Sequence, residues 1–381
     1  MRVVHVYKTS MPESYGGVES FINTLCTANS ALGVKNTVLS LSANPAKEPI
    51  EMNGYTVHQV KQHFCLASTG FSLSAFGKFK KLSEHADIIH YHFPYPFADM
   101  LHILCRIKKT SIVTYHSDII KQKNLLHLYR PLKRRFLNLV DHIVATSPNY
   151  FVSSKVLQDY DNKVSVIPIG IDINSYPKVD MARLAHWRQR LTEPFFLFVG
   201  AMRYYKGLHI ALDAIAGTDI KVVIAGIDGI GKEFKARAAS LGLDNVNFLG
   251  FVSDEDKVAL LKLCYGFIFP SHLCSEAFGI ALLEAAAFGK PMISCEIGTG
   301  TTFINKANET GLVINPGSSN DLREAMQYLL ENPSIASEMG INAKKRVEEL
   351  FTSKKQAKSY CELYEKLCTT RNNRKCSGCS I

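Results

Sequence analysis

Short runs of β-branched and aromatic residues alternate with longer segments of helical periodicity along almost the whole chain. In the first half, these runs occupy 3–7, 37–41, 87–92, 112–116, 143–146 and 164–169. In the second half, they occupy 195–199, 222–225, 246–250, 267–269, 292–295 and 312–314. Segments with helical periodicity lie between them, as at 18–32, 75–85, 125–140 and 148–158. Strands that alternate with helices predict parallel sheets with right-handed crossovers.

The alternation divides into two blocks, separated by irregular, proline-containing sequence near residues 173–179. We therefore predict an α/β protein with two doubly wound domains, residues 1–175 and 176–350. A helix at 351–368 and a polar tail at 369–381 complete the prediction. Ligands of open α/β sheets bind outside the carboxyl ends of the strands, so we expect the site in a cleft between the two sheets.

The composition excludes several classes of protein. Of 381 residues, 46% are hydrophobic and 20% charged, which excludes global disorder, and 24 Gly with 14 Pro exclude a collagen-like chain. No apolar run approaches the ~20 residues of a transmembrane helix, and the N-terminal run is too short for a signal peptide. We therefore expect a cytoplasmic protein. Of the ten cysteines, only Cys376 and Cys379 form a close pair, which lacks a second pair to complete a zinc site and has no assigned role.

The positive charge is concentrated in the first half of the chain. The net charge is +10, and residues 1–178 hold 20 Lys and Arg against 12 Asp and Glu. The excess gathers at residues 78–81 and at 121–135, where leucines and aromatic residues alternate with six basic side chains. The segment 121–135 is typical of a helix on an anionic membrane surface, or equally of a helix with a solvated basic face. No nucleic-acid-binding motif accompanies it, so we expect no nucleic-acid partner.

Two places in the first half carry candidate chemistry. Gly16 and Gly17 lie between the first strand and the first helix, where glycine lets backbone amides approach an anion. His116 lies at the carboxyl end of an apolar strand. It has either a functional role there or an ordinary structural one. His90 and His92 face the same way on another strand, but no carboxylate lies at ligand spacing, so we assign no metal there.

In the second half, Arg203 and Lys206 follow the buried strand FFLFV and precede a helix. Two cations beside a helix N-terminus are suited to a diphosphate, since the helix end also attracts negative charge. The alternative is a pair of solvated surface cations.

The segment 269–291 carries the strongest signal of the chain. A strand ends at Pro270, a loop with Glu276 follows, and we predict that an Ala- and Leu-rich helix begins at Phe278 or Gly279. A phosphate at the helix tip would leave Glu284 beside an adjoining ribose, because carboxylates accept hydrogen bonds from vicinal hydroxyls. Glu276 would meet polar groups on the other side of the phosphate.

Other patterns argue against metal and nicotinamide chemistry. Asp254 and Asp256 open a helix, and the Asp-Tyr-Asp triplet at 159–161 lies in a connection, so neither is a convincing Mg²⁺ site. The glycines at 226, 229 and 231 have the reverse of the dinucleotide-binding spacing. A nicotinamide oxidoreductase is therefore disfavoured.

These residues resemble the GT-B glycosyltransferases of family GT4 over nearly the whole chain. The similarity includes the Gly16–Gly17 loop, VGAMRYYKG, FLGFVSDED, SEAFGIALLEAAAFGKPMIS and FTSKKQAKSYCELYEKL. The segment EAFGIALLEA resembles the family's E-x7-E motif. The chain departs from the family pattern in two places. Residues 296–302 lack the Gly-Gly-x-x-Glu that often follows the next strand in this family, and Arg203 and Lys206 are closer together than in many members.

The resemblance implies two Rossmann-like domains that face each other across a cleft, with the last helix crossing back onto the first domain. It implies that Glu276 contacts the donor sugar, Glu284 the nucleotide ribose, and Arg203 with Lys206 the diphosphate. His116 would contact the sugar from the first domain. The other residues implied to bind the donor are Gly16, Gly17, Phe278, Gly279 and Ile280.

Within the family, the chain looks most like bacterial mannosyltransferases that build polymannose O-antigens. That resemblance implies a retaining, metal-independent enzyme that takes mannose from GDP-mannose. The acceptor would be an undecaprenyl-diphosphate-linked saccharide, the linkage α-1,3, and the location the inner leaflet of the inner membrane. The alternatives are a UDP-sugar transferase or epimerase that acts on a soluble compound, and a non-enzymatic basic protein of the membrane surface.

Overall fold

The computed structural model describes residues 1–119, 123–191, 194–226 and 231–377, with the backbone alone for 123–126 and 372–377. Lys121, Gly229 and Cys379 lie outside the described residues, as does the side chain of Cys376. The chain folds into two compact units. Unit 1 contains Met1–Gly170 and Ser353–Ile381, and unit 2 contains Ile171–Thr352. The corresponding breaks in the sequence prediction are 175/176 and 350/351.

Unit 1 is built around an eight-stranded sheet in the order β10-β9-β8-β7-β1-β2-β4-β3, parallel except for the edge pair β3–β4. Its strands are β1 (Arg2–Val6), β2 (Lys35–Ser42), β3 (Ile50–Met52), β4 (Tyr55–Lys61), β7 (Ile88–Phe93), β8 (Thr110–Tyr115), β9 (His142–Ala145) and β10 (Val164–Val166), and a separate hairpin consists of β5 (Phe64–Leu66) and β6 (Thr69–Phe71). Its helices are α1 (Gly17–Ser30), α2 (Ser74–His85), α3 (Pro96–Leu104), α4 (Lys123–Leu139), α5 (Pro148–Ser153), α6 (Lys155–Gln158) and, at the end of the chain, α15 (Ser353–Ser377).

The boundaries in unit 1 differ from the prediction where a single residue interrupts the pattern. The helix expected at 148–158 is two helices, because Ser154 leaves the helical conformation and its hydroxyl accepts the Leu157 amide to cap α6. The strand expected to reach 169 ends at Val166. Pro168 lies just beyond that end and cannot donate to a neighbouring strand.

Unit 2 contains a six-stranded parallel sheet in the order β13-β12-β11-β14-β15-β16. Its strands are β11 (Phe195–Val199), β12 (Lys221–Ala225), β13 (Val246–Gly250), β14 (Gly266–Phe269), β15 (Met292–Cys295) and β16 (Gly311–Ile314). Its helices are α7 (Met181–Arg190), α8 (Leu208–Ile215), α9 (Gly231–Ser240), α10 (Asp254–Leu263), α11 (Ile280–Ala287), α12 (Gly300–Ile304), α13 (Ser319–Glu331) and α14 (Pro333–Leu350). Both sheets have the doubly wound strand orders that the alternating pattern predicts.

Apolar side chains on one face of the unit 2 sheet pack against the helices that cover it. Phe196, Phe198 and Ile224 on the strands pack with Leu212 of α8 and Met326 of α13 in one buried cluster. Burial of each large apolar side chain contributes roughly 1.5–3 kcal/mol. This rigid layer fixes the carboxyl ends of β11 and β14, from which the candidate site residues extend.

The last helix, α15, packs against α1 and therefore belongs to unit 1. Tyr360 and Tyr364 are fully buried in this contact. The helix continues to Ser377, although the sequence predicted a tail from residue 369. One reason is that Arg371 donates to the carboxylate of Asp141 at 3.2 Å and to the Lys108 carbonyl, so the turns beyond residue 368 remain attached to unit 1.

Candidate active site

Lys206 reaches the candidate site through a tight turn after β11. Tyr204–Lys206 form one turn of 3₁₀ helix, and Gly207 ends it with φ of 72°. A Cβ on Gly207 would lie 2.0 Å from the carbonyl oxygen of Pro270. Glycine is therefore required twice here, for the left-handed backbone and for its close approach to the loop after β14.

The ammonium group of Lys206 forms an ion pair with Oε2 of Glu276 on that loop. The two side chains are only 13% and 12% exposed, and the Lys206 ammonium also lies 4.7 Å from the centre of the Phe269 ring. The Ser271 hydroxyl donates to the same Glu276 oxygen at 3.5 Å. Oε1 of Glu276 has no hydrogen-bond partner among the described residues, and so remains able to accept from a ligand.

Arg203, the other predicted phosphate ligand, lies at the start of the same turn. Its side chain is exposed and forms no hydrogen bond or ion pair with the residues that the structure describes. The two predicted cations therefore differ, since Lys206 is half-buried and paired with an acid whereas Arg203 extends into solvent.

The N-terminus of α11 carries free backbone amides. Gly279 adopts φ of 96° and precedes the helix, which begins at Ile280, one or two residues later than predicted. No side chain caps this end, and the amides of Leu282 and Leu283 both bond to the Gly279 carbonyl. Within the described chain, the amides of Ile280 and Ala281 have no acceptor. They form a potential anion site at the positive end of the helix dipole.

Glu284 lies one turn into α11, about 6 Å along the axis from Ile280. It is buried, and one oxygen, Oε1, accepts both from the Tyr176 hydroxyl at 2.7 Å and from the Lys257 ammonium at 3.0 Å. Burial raises the pKa of Tyr176, and the Glu284 carboxylate raises it further. Burial lowers the pKa of Lys257, but Glu284 and Asp254 more than compensate and hold it above its usual range. Oε2 of Glu284 has no hydrogen-bond partner in the described part of the chain.

In unit 1, the predicted Gly16–Gly17 loop lies beside a buried acid. α1 begins at Gly17, and a Cβ on Gly16 would lie 2.4 Å from Oε2 of Glu19. Oε1 of Glu19 accepts from Thr9 at 2.6 Å and from Ser14 at 3.2 Å. A carboxylate at this helix start disfavours a phosphate and favours hydroxyl groups as ligands of the loop.

His116 directly follows β8 and is buried in unit 1. Its Nε2 lies 3.1 Å from Nδ1 of His92 on β7, and the His92 Nε2 lies 3.1 Å from Nδ1 of His5 on β1. Burial lowers the pKa of His116 to about 3 and that of His5 to about 4, the latter although the hydrogen bond that His5 donates to the Asn36 amide oxygen raises it. Burial also holds the pKa of His92 well below its usual range, so all three rings are neutral at physiological pH.

His90 completes a cluster with His5 and His92, in which one ligand atom of each ring lies within 4.8 Å of the others. The ring nitrogens of His90 lie 2.8 Å from the Tyr364 hydroxyl and 2.7 Å from the Thr114 hydroxyl. Both nitrogens of His5 and of His92 also have hydrogen-bond partners. Each of the six nitrogens is thus used within the protein, and we assign no metal to this cluster.

Sequence reasoning missed five residues that shape these sites: His5, Glu19, Asn36, Tyr176 and Lys257. All except Glu19 come from elements distant in sequence from the motif that they support. The spacing Gly16-Gly17-x-Glu19 at a helix start was the one signal present locally. The contacts of the other four depend on strand order, on the packing of the segment before α7, or, for Lys257, on the approach of α10 to Glu284 of α11.

Two family models match most of the chain between them. "Glycosyltransferase Family 4" matches residues 15–175, and "Glycosyl transferases group 1" matches residues 184–346. A D-rhamnosyltransferase of Pseudomonas aeruginosa, WbpZ, is 55% identical over 353 residues, which cover 93% of each chain. The O-antigen chain mannosyltransferase C of Escherichia coli is 48% identical over 372 residues, 98% of this chain and 100% of that protein.

The chain belongs to the GT4-type glycosyltransferases. Among solved structures, sucrose-phosphate synthase from Thermosynechococcus elongatus matches this glycosyltransferase with a TM-score of 0.80 at 19% identity, over 97% of this chain and 99% of that one. This similarity concerns the fold, which is GT-B. The family, the fold class and the enzyme class predicted from the sequence are thus confirmed.

Proposed function

We propose that this glycosyltransferase transfers mannose from GDP-mannose, with retention and in an α-1,3 linkage, to an undecaprenyl-diphosphate-linked saccharide during O-antigen assembly. Support for the sugar and the pathway comes from the 48% identity, along almost the entire chain, to a protein named an O-antigen chain mannosyltransferase. Retention, linkage and lipid acceptor follow from the family resemblance and are part of the proposal.

One observation carries the assignment of the donor site. The uncapped N-terminus of α11 lies in sequence between Glu276 and Glu284, and each glutamate binds protein groups through one oxygen only. The free amides suit the diphosphate, the open oxygen of Glu284 suits a ribose hydroxyl, and that of Glu276 suits a sugar hydroxyl. His116, Gly16 and Gly17 would contact the sugar from unit 1.

The proposed reaction needs positive charge where the diphosphate departs. As the bond between the anomeric carbon and the phosphate oxygen breaks, the acceptor oxygen bonds to that carbon on the same face. The acceptor's hydroxyl proton passes to the departing phosphate oxygen. Lys206, Arg203 and the α11 amides stabilise the developing charge in place of a metal ion. Glu276 keeps Lys206 oriented until the phosphate arrives.

A second donor is favoured by a specific finding. The relative with 55% identity is named a D-rhamnosyltransferase, and D-rhamnose is mannose without the 6-hydroxyl group. GDP-D-rhamnose is therefore the competing donor at the same site. Direct competition between the two labelled donors measures the preference as a ratio of kcat/KM.

We propose that unit 1 carries the membrane contact of this enzyme. The structure places Leu128, Arg130, Arg134 and Arg135 of α4 in solvent, with Leu128 82% exposed, while Phe136 and Leu137 are buried. The basic helix therefore has both a core-facing stripe and an outward basic face. Within the described residues, no helix is both long and apolar enough to cross a bilayer. Attachment would then be peripheral.

The β5–β6 hairpin adds apolar side chains to this proposed contact. Phe64 and Leu66 of β5, together with Leu73 just beyond β6, are all more than half exposed, and Phe71 packs on Phe97 of α3. α4 packs on the same helix α3. Exposed apolar side chains near a basic helix suit the boundary between lipid headgroups and acyl chains.

A donor panel tests the proposed function. Purified enzyme would receive GDP-mannose, GDP-D-rhamnose, UDP-glucose or UDP-GlcNAc, a synthetic lipid-diphosphate saccharide, and either Mg²⁺ or EDTA. Transfer of mannose with equal rates in EDTA, and an α-anomeric signal in the NMR spectrum of the product, are expected. Transfer from a UDP-sugar, or the appearance of a free epimerised sugar or a soluble glycoside as product, would favour one of the alternative enzymes over this proposal. Absence of any donor binding would favour a non-enzymatic role.

A further inference from the structure

A line of hydrogen bonds connects Asn36 to His116 through the sheet of unit 1. The residues lie on or next to four neighbouring strands, β2, β1, β7 and β8, and the line runs Asn36–His5–His92–His116. Each link is 3.1 to 3.3 Å long. Such a line has a direction, because each neutral imidazole has one N–H donor and one acceptor nitrogen.

Asn36 fixes that direction. Its Nδ2 lies 3.1 Å from the Cys26 carbonyl oxygen and 3.4 Å from that of Val34. Carbonyl oxygens only accept, so this atom is the amide nitrogen, and the amide oxygen Oδ1 is the atom 3.3 Å from Nε2 of His5. Because Oδ1 only accepts as well, His5 carries its proton on Nε2.

The protonation state then propagates from ring to ring. Nδ1 of His5 has no proton, so it accepts from Nε2–H of His92. Nδ1 of His92 in turn accepts from Nε2–H of His116. This assignment of the ring protons requires that all three imidazoles are neutral. Burial satisfies that requirement, because it lowers the pKa of each ring well below the physiological range. The remaining nitrogen, Nδ1 of His116, is left without a proton.

The open end of the line is the end nearest to solvent. His5 is fully buried and His92 is 1% exposed, whereas His116 is 7% exposed. Among the described residues, nothing hydrogen-bonds to Nδ1 of His116. A ligand that reaches this atom therefore meets an acceptor and not a donor.

We propose that Asn36, His5 and His92 are positioning residues, which hold His116 in the Nε2–H tautomer so that its Nδ1 accepts a hydrogen bond from a hydroxyl of the donor sugar. The contact with the sugar rests on the proposed function, while the tautomer follows from unit 1 alone. An acceptor-only His116 selects a sugar with a hydroxyl at the facing position. A deoxy sugar would leave the nitrogen unpaired, and an ether or phosphate oxygen would be repelled by it.

The tautomer is measurable in the free, full-length enzyme. Long-range ¹H–¹⁵N correlations of protein labelled with ¹⁵N-histidine distinguish protonated from unprotonated ring nitrogens, and the spectrum of His116→Gln identifies the signal of His116. We expect a protonated Nε2 and an unprotonated Nδ1. A protonated Nδ1 in the wild-type enzyme overturns the proposal, whatever the variants below do.

Two His→Phe variants distinguish the effect of the hydrogen-bond line from the effect of side-chain packing. His5→Phe removes the acceptor of His92 and frees the tautomers of His92 and His116. His90→Phe is the matched control, since His90 is equally buried and stacks on the same rings but bonds to Tyr364 and Thr114 outside the line. We expect His5→Phe to populate Nδ1–H in His116 and to raise the KM for the donor about 3- to 10-fold, with kcat little changed.

His90→Phe should leave the tautomer and the KM unchanged. Equal effects of the two variants would show that the histidines have a packing role only, and would refute the proposal that the line sets the tautomer of His116. If the wild-type enzyme transfers no sugar from any donor but the predicted tautomer is observed, the proposed function is wrong, whereas the inference that the line sets the tautomer of His116 is confirmed.

Discussion

The ammonium group of Lys206 contacts Oε2 of Glu276, so the cation predicted to hold a diphosphate already has an acidic partner in the free enzyme. The sequence prediction placed these two residues on different parts of the donor. Their contact means that the pair carries no net charge before the donor binds. As the bond to the sugar breaks, negative charge develops on the leaving diphosphate. Lys206 is therefore attracted more strongly to the diphosphate in the transition state than in the ground state, which stabilises the transition state.

Lys206→Ala tests this role. We expect kcat to fall roughly 10²- to 10³-fold, by analogy with the loss of one preorganised donor to a developing anion. Steady-state kinetics with GDP-mannose measures the change. Lys345→Ala, on the exposed surface of α14, is the control and should keep wild-type turnover. A Lys206→Ala enzyme with undiminished kcat would show that the phosphate assignment is wrong.

Glu284 should affect binding of the nucleotide more than the chemical step. Glu284→Gln removes the charge that faces Lys257 and replaces one carboxylate oxygen with an amide that donates. We expect the KM for the donor to rise about 10-fold, as for a lost charge-assisted hydrogen bond, with a smaller change in kcat. Isothermal titration with GDP measures the binding component separately.

Tyr176→Phe provides the comparison for Glu284→Gln. It removes only the hydroxyl that donates to Oε1 at 2.7 Å and leaves the open oxygen Oε2 in place. The KM should therefore rise less, about 3-fold. A larger effect of Tyr176→Phe than of Glu284→Gln would contradict a direct contact between Glu284 and the ribose.

The sequence predicted the central strands well because strands buried on both faces are nearly continuous apolar runs. β11 is such a strand, FFLFV, and was predicted at its observed bounds. The strands β3 to β6 were missed. They are short or half-exposed, and β5 is exposed along its whole length, so no apolar run marks it.

The candidate site was predicted as motifs but not as contacts. Lys206 and Glu276 were both identified, yet their ion pair spans 70 residues and depends on the backbone of Gly207 lying against Pro270. The line from Asn36 to His116 likewise depends on strand order, which places β1 between β2 and β7. Local spacing contains no information about either arrangement.

Gly207→Ala should disrupt the site through the backbone. The methyl group would lie 2.0 Å from the Pro270 carbonyl oxygen, and alanine is also unfavourable at φ of 72°. Gly217→Ala is the control, because Gly217 has φ of 70° but no atom within 4 Å of the added methyl. We expect Gly217→Ala to lose about 1 kcal/mol of unfolding free energy and to keep its activity.

Gly207→Ala should lose at least about 2 kcal/mol and most of its turnover, since the turn must move off the loop that carries Glu276. Chemical denaturation and the transfer assay measure both quantities. Equal losses in the two alanine variants would mean that the contact with Pro270 does not matter.

Unit 1 should lose stability as the pH falls. The pKa of His5 is lowered by burial to about 4 and that of His116 to about 3, whereas unfolded histidines bind protons near pH 6.5. Between these values the unfolded chain binds more protons than the folded one. The stability is therefore fully present above about pH 6.5 and declines below it, by about 1.4 kcal/mol per pH unit for each such ring.

Denaturant unfolding between pH 7.5 and 4.5 tests this dependence. His5→Phe removes one titrating ring, so its unfolding free energy should depend less steeply on pH by about 1.4 kcal/mol per unit. His85→Phe, at the exposed end of α2, should retain the wild-type slope. A slope in His5→Phe identical to that of the wild type would show that His5 becomes protonated without unfolding.

Membrane binding should depend on the outward face of α4. Arg134→Glu with Arg135→Glu reverses two exposed charges without touching buried Phe136 and Leu137. Each cation near an anionic surface contributes about 1 kcal/mol, so we expect affinity for phosphatidylglycerol vesicles to fall at least about 30-fold. Co-sedimentation at increasing salt measures it, and wild-type binding should weaken as salt screens the surface.

Lys344→Glu with Lys345→Glu in α14 changes the net charge equally but lies in unit 2. This control should bind vesicles like the wild-type enzyme. Phe64→Ser with Leu66→Ser should weaken binding at high salt as well, because the hairpin would contribute apolar contacts that salt does not screen. If the α4 and α14 variants bind equally well, net charge and not this surface attracts the enzyme to the membrane.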